Sequence, residues 1–344
     1  MTKGKELFSH RINNNICKVV LLIVLLLVFI LLPRFGGNFL THVVLEMFFL
    51  AFLGQAWNIF SGYCGELSFG HATFFGVGAY TSSILLMRYG ISPWIGMLVG
   101  GCFSALLGIG IAYISLRYNV KGVFFALATL ACAELMRLLS LTLKSLTNGA
   151  EGILIPFKGE NFAMFSFGVN KKYIYYYIIL GMFILCSLVA YKVKKSRLGY
   201  HLSAIKGNYD AAKMLGINTL KCQIIAMGIS TFLTAMGGTF YAQYYQHFEP
   251  DVLFSANRSF EIIFPVILGG GGYIAGPLVG AIILQGFEII TRELIPSFMY
   301  GVPKIVSGLI LVIMMMFIPG GVVSSVYKRV SNIRLKRKEA QEGR

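Results

Sequence analysis

Residues 173–221, YIYYYIILGMFILCSLVAYKVKKSRLGYHLSAIKGNYDAAKMLGINTLK, decide the fold class of this chain. The first part, 173–191, is apolar and long enough to form a helix that crosses the hydrocarbon core of a bilayer. The second part, 192–221, is polar and carries seven Lys and Arg residues. Because a further apolar run begins at Cys222, the pattern of span, basic loop and span is typical of a protein embedded in a membrane.

The composition of the whole chain agrees with this interpretation. The 344 residues are 56% hydrophobic and only 13% charged, with a mean hydropathy of +0.73. Soluble domains carry about a quarter charged residues, so the composition predicts a polytopic membrane protein. Apolar segments continue without an interval long enough for a soluble domain, which predicts a cytoplasmic segment at 1–17, one membrane domain at 18–318 and a basic tail at 319–344.

Apolar windows predict eight helices of about membrane-crossing length. They cover residues 18–33, 39–60, 66–87, 93–115, 122–141, 173–191, 222–246 and 302–318. The interval 259–291 differs, because the run Gly269, Gly270, Gly271 and Gly272 splits it and predicts either a re-entrant hairpin or two spans of unequal length. The expected fold is an all-α polytopic membrane protein with about eight to ten crossings and a glycine break near 259–291.

The distribution of basic residues predicts the orientation. The N-terminal segment with the adjacent Lys18, the loops 116–121 and 192–221 and the tail together hold 20 of the 30 Lys and Arg residues, which places them in the cytoplasm by the positive-inside rule. Both termini are then cytoplasmic, the loop 142–172 lies outside, and the tail is expected to touch anionic lipid of the bilayer. Because the net charge of +16 lies beside the spans, it does not indicate nucleic-acid binding.

Small side chains recur at every fourth position in one predicted span. They are Ser92, Gly96, Gly100, Ser104, Gly108 and Ala112. Such a row forms a groove that lets a neighbouring helix approach closely, which suits both static packing and a sliding surface. Gly272, Gly276 and Gly280 repeat the spacing.

Ionisable groups in or near the apolar windows are costly there and therefore informative. They are Glu46, Glu66, His71, Glu134, Arg137 and Glu288. Glu134 and Arg137 are three residues apart on one predicted helix and are expected to pair. Glu66, Ser68 and His71 follow a glycine-rich break that includes Gly65, which makes this interrupted helix a candidate substrate or gating site. The alternative is a structural turn whose own side chains satisfy its polar groups.

No catalytic or metal-binding pattern is present in the sequence. The motifs GxxxxGK[ST] and HExxH are absent, and the six cysteines are scattered without a CxxC pair. We therefore expect a protein that is not an enzyme, with no catalytic residues, no cofactor and no metal site.

The loop 192–221 contains a second candidate site. Residues from Asp210 to Ile217 predict a short helix that ends where Gly216 adopts a left-handed conformation. A short helix on the basic side of a membrane protein is a candidate element for transmitting movement from a cytosolic partner.

Four stretches between about residues 40 and 290 resemble the permease subunits of branched-chain amino-acid ABC importers, in particular the LivM-like branch. The stretches are GYCGELSFGHATFFGVGAY (62–80), GVFFALATL (122–130) with TNGAEG (147–152), the loop from SRLG to GIN (196–218), and LGGGG (268–272) with GPLVGA (276–281). Their order and spacing are specific for the family. They are less specific for the substrate, because urea and amide permeases share much of the pattern.

The resemblance implies a heteromeric importer in the bacterial cytoplasmic (inner) membrane. Its expected partners are a second homologous permease, two cytosolic ATP-binding subunits and an extracytoplasmic substrate-binding protein. The alternatives are a urea or amide ABC importer and, less in keeping with the loop helix, a stand-alone secondary transporter.

The resemblance also assigns expected roles to individual residues. The ATPase-coupling residues would be Gly199, Asp210, Ala211, Ala212, Leu215 and Gly216. The substrate-path candidates are Gly65, Glu66, Ser68, His71, Asn148 and Glu151. In this hypothesis Glu66 or Glu151 accepts from the substrate ammonium, while helix N-termini beside Gly65 and Gly272 donate to the carboxylate.

Overall fold

The computed structural model describes most of the chain. The described residues are 27–34, 37–157, 159–168, 171–294, 308–309, 312–313, 316–317, 320–327 and 329. The predicted segment 1–17, the first part of the span 18–33, most of the span 302–318 and most of the tail 319–344 lie outside them.

Helices form most of the described chain, and the all-α prediction is confirmed. After a helical segment at 27–34 they are α1 (Gly37–Trp57), α2 (His71–Tyr89), α3 (Pro93–Arg117), α4 (Val123–Thr142), α5 (Lys144–Thr147), α6 (Lys172–Lys195), α7 (Arg197–Gly207), α8 (Tyr209–Met214), α9 (Thr219–Tyr245), α10 (Pro250–Leu253), α11 (Ala256–Gly269) and α12 (Gly276–Leu294). A π-helical turn at Asn58–Gly62 extends α1. Two short strands, β1 (Ile153–Leu154) and β2 (His247–Phe248), pair antiparallel.

Six helical segments within the described residues are long and apolar enough to cross a membrane. They are Gly37–Gly62, Pro93–Arg117, Val123–Thr142, Lys172–Lys195, Thr219–Tyr245 and Pro250–Gly269. Five of them coincide with predicted spans, and the sixth belongs to the interval divided by glycines. The polytopic membrane architecture is therefore confirmed.

The span predicted at 66–87 begins later than expected. Its helix, α2, starts at His71, and the stretch 65–70 is not helical. The backbone of this stretch bonds to neighbouring helices, since Trp57 Nε1 donates to the Ser68 carbonyl at 2.8 Å and Phe69 N donates to Thr129 Oγ1 at 3.0 Å. The Ser68 carbonyl and the Phe69 N–H therefore bond to side chains of other helices, and this stretch does not form a helical turn.

The row of small residues on α3 packs against other helices. A Cβ added at Gly96 would lie 2.9 Å from the Ser82 Cα of α2. Further along, Ser104 Oγ donates to the Thr231 carbonyl of α9 at 2.9 Å, and Gly108 also faces Thr231. One part of the groove therefore packs against α2 and the next part against α9, which gives the close helix packing that membrane proteins require.

The interval 259–291 contains two helices joined by a glycine break. α11 ends at Gly269, and Gly270 and Gly272 have φ angles of 114° and 88°. These angles are strained for residues with a Cβ. α12 then packs against α11 so closely that a Cβ on Gly280 would lie 1.8 Å from the Pro265 carbonyl oxygen. The predicted glycine-broken segment is confirmed as a helical hairpin.

The bundle has two distinguishable ends. At one end, which we call the loop end, Thr219 Oγ1 at the start of α9 donates to Tyr209 Oη at the start of α8, over 2.9 Å. At the other, the strand end, α9 finishes at Tyr245 immediately before β2. Since α9 has 27 residues, the two ends are about 40 Å apart at 1.5 Å per residue.

Candidate coupling site at the helix breaks

Two interruptions of the helices meet at the loop end of the bundle. The first break lies between the π-helical turn after α1 and the start of α2, and the second break lies between α11 and α12. Asn58, in the π-helical turn after α1, joins them: its Oδ1 accepts from Gly272 N at 2.7 Å, and its Nδ2 donates to the Tyr273 carbonyl at 3.0 Å. The approach is close, because a Cβ on Gly62 would lie 1.8 Å from Asn58 Oδ1 and 2.9 Å from Gly272 N. The ends of α1 and α11 therefore form one structural unit.

Two lysines of the basic loop bind the backbone of these breaks. Lys206 Nζ donates to the Gly62 carbonyl at 2.8 Å, and Lys194 Nζ donates to the Gly272 carbonyl at 2.5 Å. The Gly62 carbonyl lies near a helix C-terminus, where carbonyl groups lack intrahelical partners and carry partial negative charge. The Gly272 carbonyl lies in the non-helical connection between α11 and α12. Each ammonium therefore satisfies and stabilises a carbonyl group in its break. Desolvation of its ammonium lowers the pKa of Lys206. Sequence analysis counted both lysines for topology and missed this contact.

α7 is held firmly against the end of α6. Ser196 caps α7 by accepting from Gly199 N at 3.4 Å. A Cβ on Gly199 would lie 2.4 Å from the Val193 carbonyl oxygen, so only glycine fits there without a shift. Lys206, in the last turn of α7, is thereby fixed relative to Lys194, in the last turn of α6.

The predicted short helix in the loop is confirmed as α8. Asn208 caps it, its Oδ1 accepting from the backbone nitrogens of Asp210 at 3.1 Å and Ala211 at 3.0 Å. The helix ends at Met214, and Gly216 follows with a φ of 79°. The left-handed conformation expected of this glycine is thus present.

The predicted coupling residues do not all lie on one face of α8. Ala212 is 2% exposed and packs into the body of the chain, so it is not on the outer face that was expected to include it. Met214 and Leu215 are 89% and 80% exposed, and Ala211 is exposed beside them. The exposed apolar residues of α8 and its C-terminal end are therefore Ala211, Met214 and Leu215, and the charged Asp210 and Lys213 are exposed with them. Sequence analysis did not select Met214.

A second connection runs from α8 to the first break through the α3–α4 connection. The Lys121 ammonium lies 3.5 Å from the centroid of the Tyr209 ring, a cation–π contact. The next residue, Gly122, donates its backbone N–H to Glu66 Oε2 at 2.7 Å. Glu66 therefore links the non-helical stretch 65–70 to the start of α4.

Ser68 and His71 belong to a buried network. Ser68 Oγ lies 2.9 Å from His71 Nδ1, and His71 Nε2 lies 2.9 Å from Ser230 Oγ of α9. Ser230 Oγ in turn donates to the Ala56 carbonyl at 2.7 Å. All three side chains are fully buried. The arrangement matches the alternative of a turn satisfied by its own side chains, extended here to α9.

The other two substrate-path candidates lie at the strand end. Asn148 and Glu151 are exposed in the connection between α5 and β1. Glu66 bonds to Gly122 immediately before α4 begins, whereas Glu151 follows the end of α4. Since α4 has 20 residues, the structure places these two carboxylates about 30 Å apart. They do not form one pocket in this conformation.

The expected pairing of Glu134 and Arg137 is confirmed. Arg137 Nη2 lies 2.6 Å from Glu134 Oε1, and Arg137 Nη1 lies 2.6 Å from Asp251 Oδ1 in α10. The pair thus ties α4 to α10 near the strand end. Among the residues that the structure describes, no group of three or more His, Cys, Asp and Glu side chains could hold a metal ion.

The sequence matches a known protein family over most of its length. Residues 39–319 match the family described as branched-chain amino acid transport system, permease component. The chain belongs to this family. The LivM-like resemblance of the four stretches is confirmed, and with the six apolar helices it identifies a multi-pass inner-membrane permease subunit.

Individual relatives of this permease are similar over most of its length. It is 27% identical over 291 residues to the high-affinity branched-chain amino acid transport system permease protein LivM of Escherichia coli, covering 79% of this chain and 67% of that protein. It is 25% identical over 293 residues to LivH of the same organism, covering 79% of this chain and 90% of that protein. Neither relative favours a urea, amide or stand-alone transporter. No solved structure matches the chain.

Proposed function

We propose that this permease subunit translocates branched-chain amino acids as part of an ATP-driven importer. Its partners are a second related permease, two cytosolic ATP-binding subunits and an extracytoplasmic substrate-binding protein. The similarity to LivM and LivH supports the substrate class, because both relatives are named for branched-chain amino-acid transport. The loop end then faces the cytoplasm together with both termini, as the basic loop 192–221 favours.

The exposed face of α8 is the observation that carries the proposal. Met214 and Leu215 are large apolar side chains exposed to 89% and 80% on a basic loop, where exposure to water is unfavourable. In the importer they insert into a groove of an ATP-binding subunit. Ala211 beside them is small enough to allow close approach.

Movement of α8 reaches the break after α1 by two routes, and Asn58 connects this break to the one after α11. One runs through α7, from Asn208 to Lys206 and the Gly62 carbonyl. The other runs through Tyr209, Lys121 and Glu66. When the ATP-binding subunits close, the displaced loop pulls on both breaks and shifts the permease between inward-open and outward-open states. The breaks are suited to this role because their backbone groups are held by side chains rather than by helical turns.

The substrate-path candidates act in sequence rather than together. Asn148 and Glu151 lie at the strand end, where the binding protein delivers the amino acid. Gly65 and Glu66 lie beside the loop-end break, where the amino acid leaves. The buried side chains of Ser68 and His71 stabilise this break through their hydrogen bonds.

Reconstitution of the complete importer tests this function. Proteoliposomes with both permeases and both ATP-binding subunits should take up leucine only when ATP and the leucine-loaded binding protein are supplied. Replacing Met214 and Leu215 by serine should abolish binding of the ATP-binding subunits and reduce uptake more than tenfold. Leu154→Ser, at the strand end with 64% exposure, is the matched control and should leave binding of the ATP-binding subunits unchanged. Uptake without ATP, or uptake of urea in place of leucine, would refute the proposal.

A further inference from the structure

Charged side chains from three helices gather within the membrane-spanning part of the bundle. Glu46 lies in α1, Arg258 and Glu261 lie in α11, and Glu288 lies in α12. The segments that carry Glu46, Arg258 and Glu261 are long and apolar enough to span the membrane. We call these four residues the membrane-depth charge cluster. Neither ATPase coupling nor the helix breaks use any of them.

Direct contacts hold the cluster together. Arg258 Nη1 lies 2.7 Å from Glu261 Oε2. The guanidinium carbon of Arg258 lies 4.8 Å from the centroid of the Tyr241 ring and 5.3 Å from that of Phe75. Because cations interact favourably with aromatic faces, the two rings fix the guanidinium in place.

The remaining members surround this pair. Tyr245, one turn beyond Tyr241 on α9, donates a hydrogen bond to Glu46. The Glu46 carboxyl interacts electrostatically with Arg258, Glu261 and Glu288. Glu46 and Glu261 thus place two carboxyl groups beside the guanidinium of Arg258, and each carboxyl group has lone pairs left to accept from a further donor.

The exposure of the cluster indicates what it faces. The Arg258 side chain is 13% exposed and that of Glu261 is 43% exposed, while Glu46 and Glu288 are half-buried. These four side chains are therefore partly exposed, although they lie in the membrane-spanning part of the bundle. Charged side chains at this depth almost always face water or a bundle interior, because contact with lipid is costly. We therefore expect this face to meet water or another protein chain rather than lipid.

The cluster also retains unused hydrogen-bonding capacity. Arg258 Nε is buried and has no hydrogen-bond acceptor within the described part of the chain. A guanidinium offers five N–H donors, and its fork matches the geometry of a carboxylate. Donors for an anion and acceptors for a cation thus lie side by side, next to the aromatic surfaces of Phe75 and Tyr241.

We propose that the membrane-depth charge cluster lines the translocation path and binds the passing substrate as an α-amino acid zwitterion. Arg258 donates to the substrate carboxylate, and the carboxylates of Glu46 and Glu261 accept from its ammonium. The partly exposed ring of Tyr241 contacts the apolar side chain. The inference rests on the proposed amino-acid transport and locates its polar recognition within the membrane.

Cysteine labelling of the assembled importer tests water access to the cluster. In a background without the native cysteines, Glu261→Cys and Glu288→Cys should react with a membrane-impermeant thiosulfonate at least tenfold faster than Leu106→Cys, an exposed apolar position of α3. Tyr118→Cys, 75% exposed in the connection between α3 and α4, is the positive control for reaction at the loop end. Saturating leucine-loaded binding protein with ATP should slow labelling at Glu261 at least threefold and leave Tyr118 unaffected.

The outcomes separate this inference from the proposed function. If the wild-type importer takes up leucine but both cluster cysteines label no faster than Leu106→Cys, the cluster is a closed interface and the inference fails alone. Labelling that urea slows and leucine does not would also overturn the zwitterion site. Arg258→Lys should retain leucine uptake better than Arg258→Met, at equal amounts of assembled complex. Equal uptake by these two variants would exclude carboxylate recognition by this residue.

Discussion

The ammonium of Lys206 lies 2.8 Å from the carbonyl oxygen of Gly62, so a loop lysine caps the end of a membrane helix. The contact joins two elements 144 residues apart in sequence. It makes the position of α7 and the conformation of the first break interdependent. A change in one therefore biases the other, which is the physical requirement for coupling two sites.

Replacing Lys206 by methionine should uncouple transport from ATP hydrolysis. The substitution keeps an unbranched side chain but leaves the Gly62 carbonyl without its donor, which costs about 1–3 kcal/mol if the group stays buried. We expect leucine uptake to fall at least fivefold while ATP hydrolysis without substrate rises. Both rates can be measured on the same proteoliposomes.

Lys192→Met is the control for Lys206, since Lys192 is exposed in the last turn of α6. It removes the same charge and should leave the ratio of uptake to hydrolysis unchanged. Lys206→Arg, which retains a donor, should restore part of the coupling. An unaltered ratio in Lys206→Met would show that the contact does not transmit movement.

Gly216→Val should impair α8 without preventing insertion into the membrane. Gly216 has a φ of 79° and open space around its Cβ position, so the cost is backbone strain of about 1–2 kcal/mol. We expect weaker binding of the ATP-binding subunits and reduced uptake at normal permease levels in the membrane. Gly207→Val is the matched control, because Gly207 also has open space but no positive φ. Normal uptake by Gly216→Val would remove the assigned role.

Gly62→Ala should destabilise the permease by separating the two breaks. The added methyl would lie 1.8 Å from Asn58 Oδ1 and 2.9 Å from Gly272 N, and overpacking of this kind costs about 1–3 kcal/mol. We expect a lower Tm of the purified permease in detergent. Gly181→Ala, on α6 with no atom within 4 Å, should leave the Tm unchanged or raise it slightly. Equal Tm values for the two variants would contradict the observed contact between the breaks.

Local patterns in the sequence were sufficient to predict the helices, but the long-range polar contacts could not be predicted. The repeat of small residues on α3 and the run from Gly269 to Gly272 are both patterns of residues close together in the sequence. The close-packing groove and the helix break were therefore predicted. The bond between His71 and Ser230 joins residues 159 apart, and no local spacing encodes such a pair.

The functional meaning of the charges was also hidden in the sequence. Positive residues near spans are required for topology whatever else they do, so Lys194 and Lys206 carried no separate signal. Glu46 and Glu288 were recognised as costly, but Arg258, which interacts with the Glu46 carboxyl, did not stand out. Only packing of α1, α11 and α12 brings these groups together.

Glu66 provides a test between support of the break and contact with substrate. Its Oε2 accepts from Gly122 N at 2.7 Å, and a glutamine keeps an acceptor oxygen of the same reach. If the acceptor is what matters, Glu66→Gln should transport leucine within about twofold of wild type, whereas Glu66→Ala, which leaves this N–H without a partner, should lose at least fivefold. Initial rates of uptake over a range of leucine-loaded binding protein would measure both. A large loss in Glu66→Gln, equal to that in Glu66→Ala, would instead show that the negative charge is needed, as contact with the substrate ammonium requires.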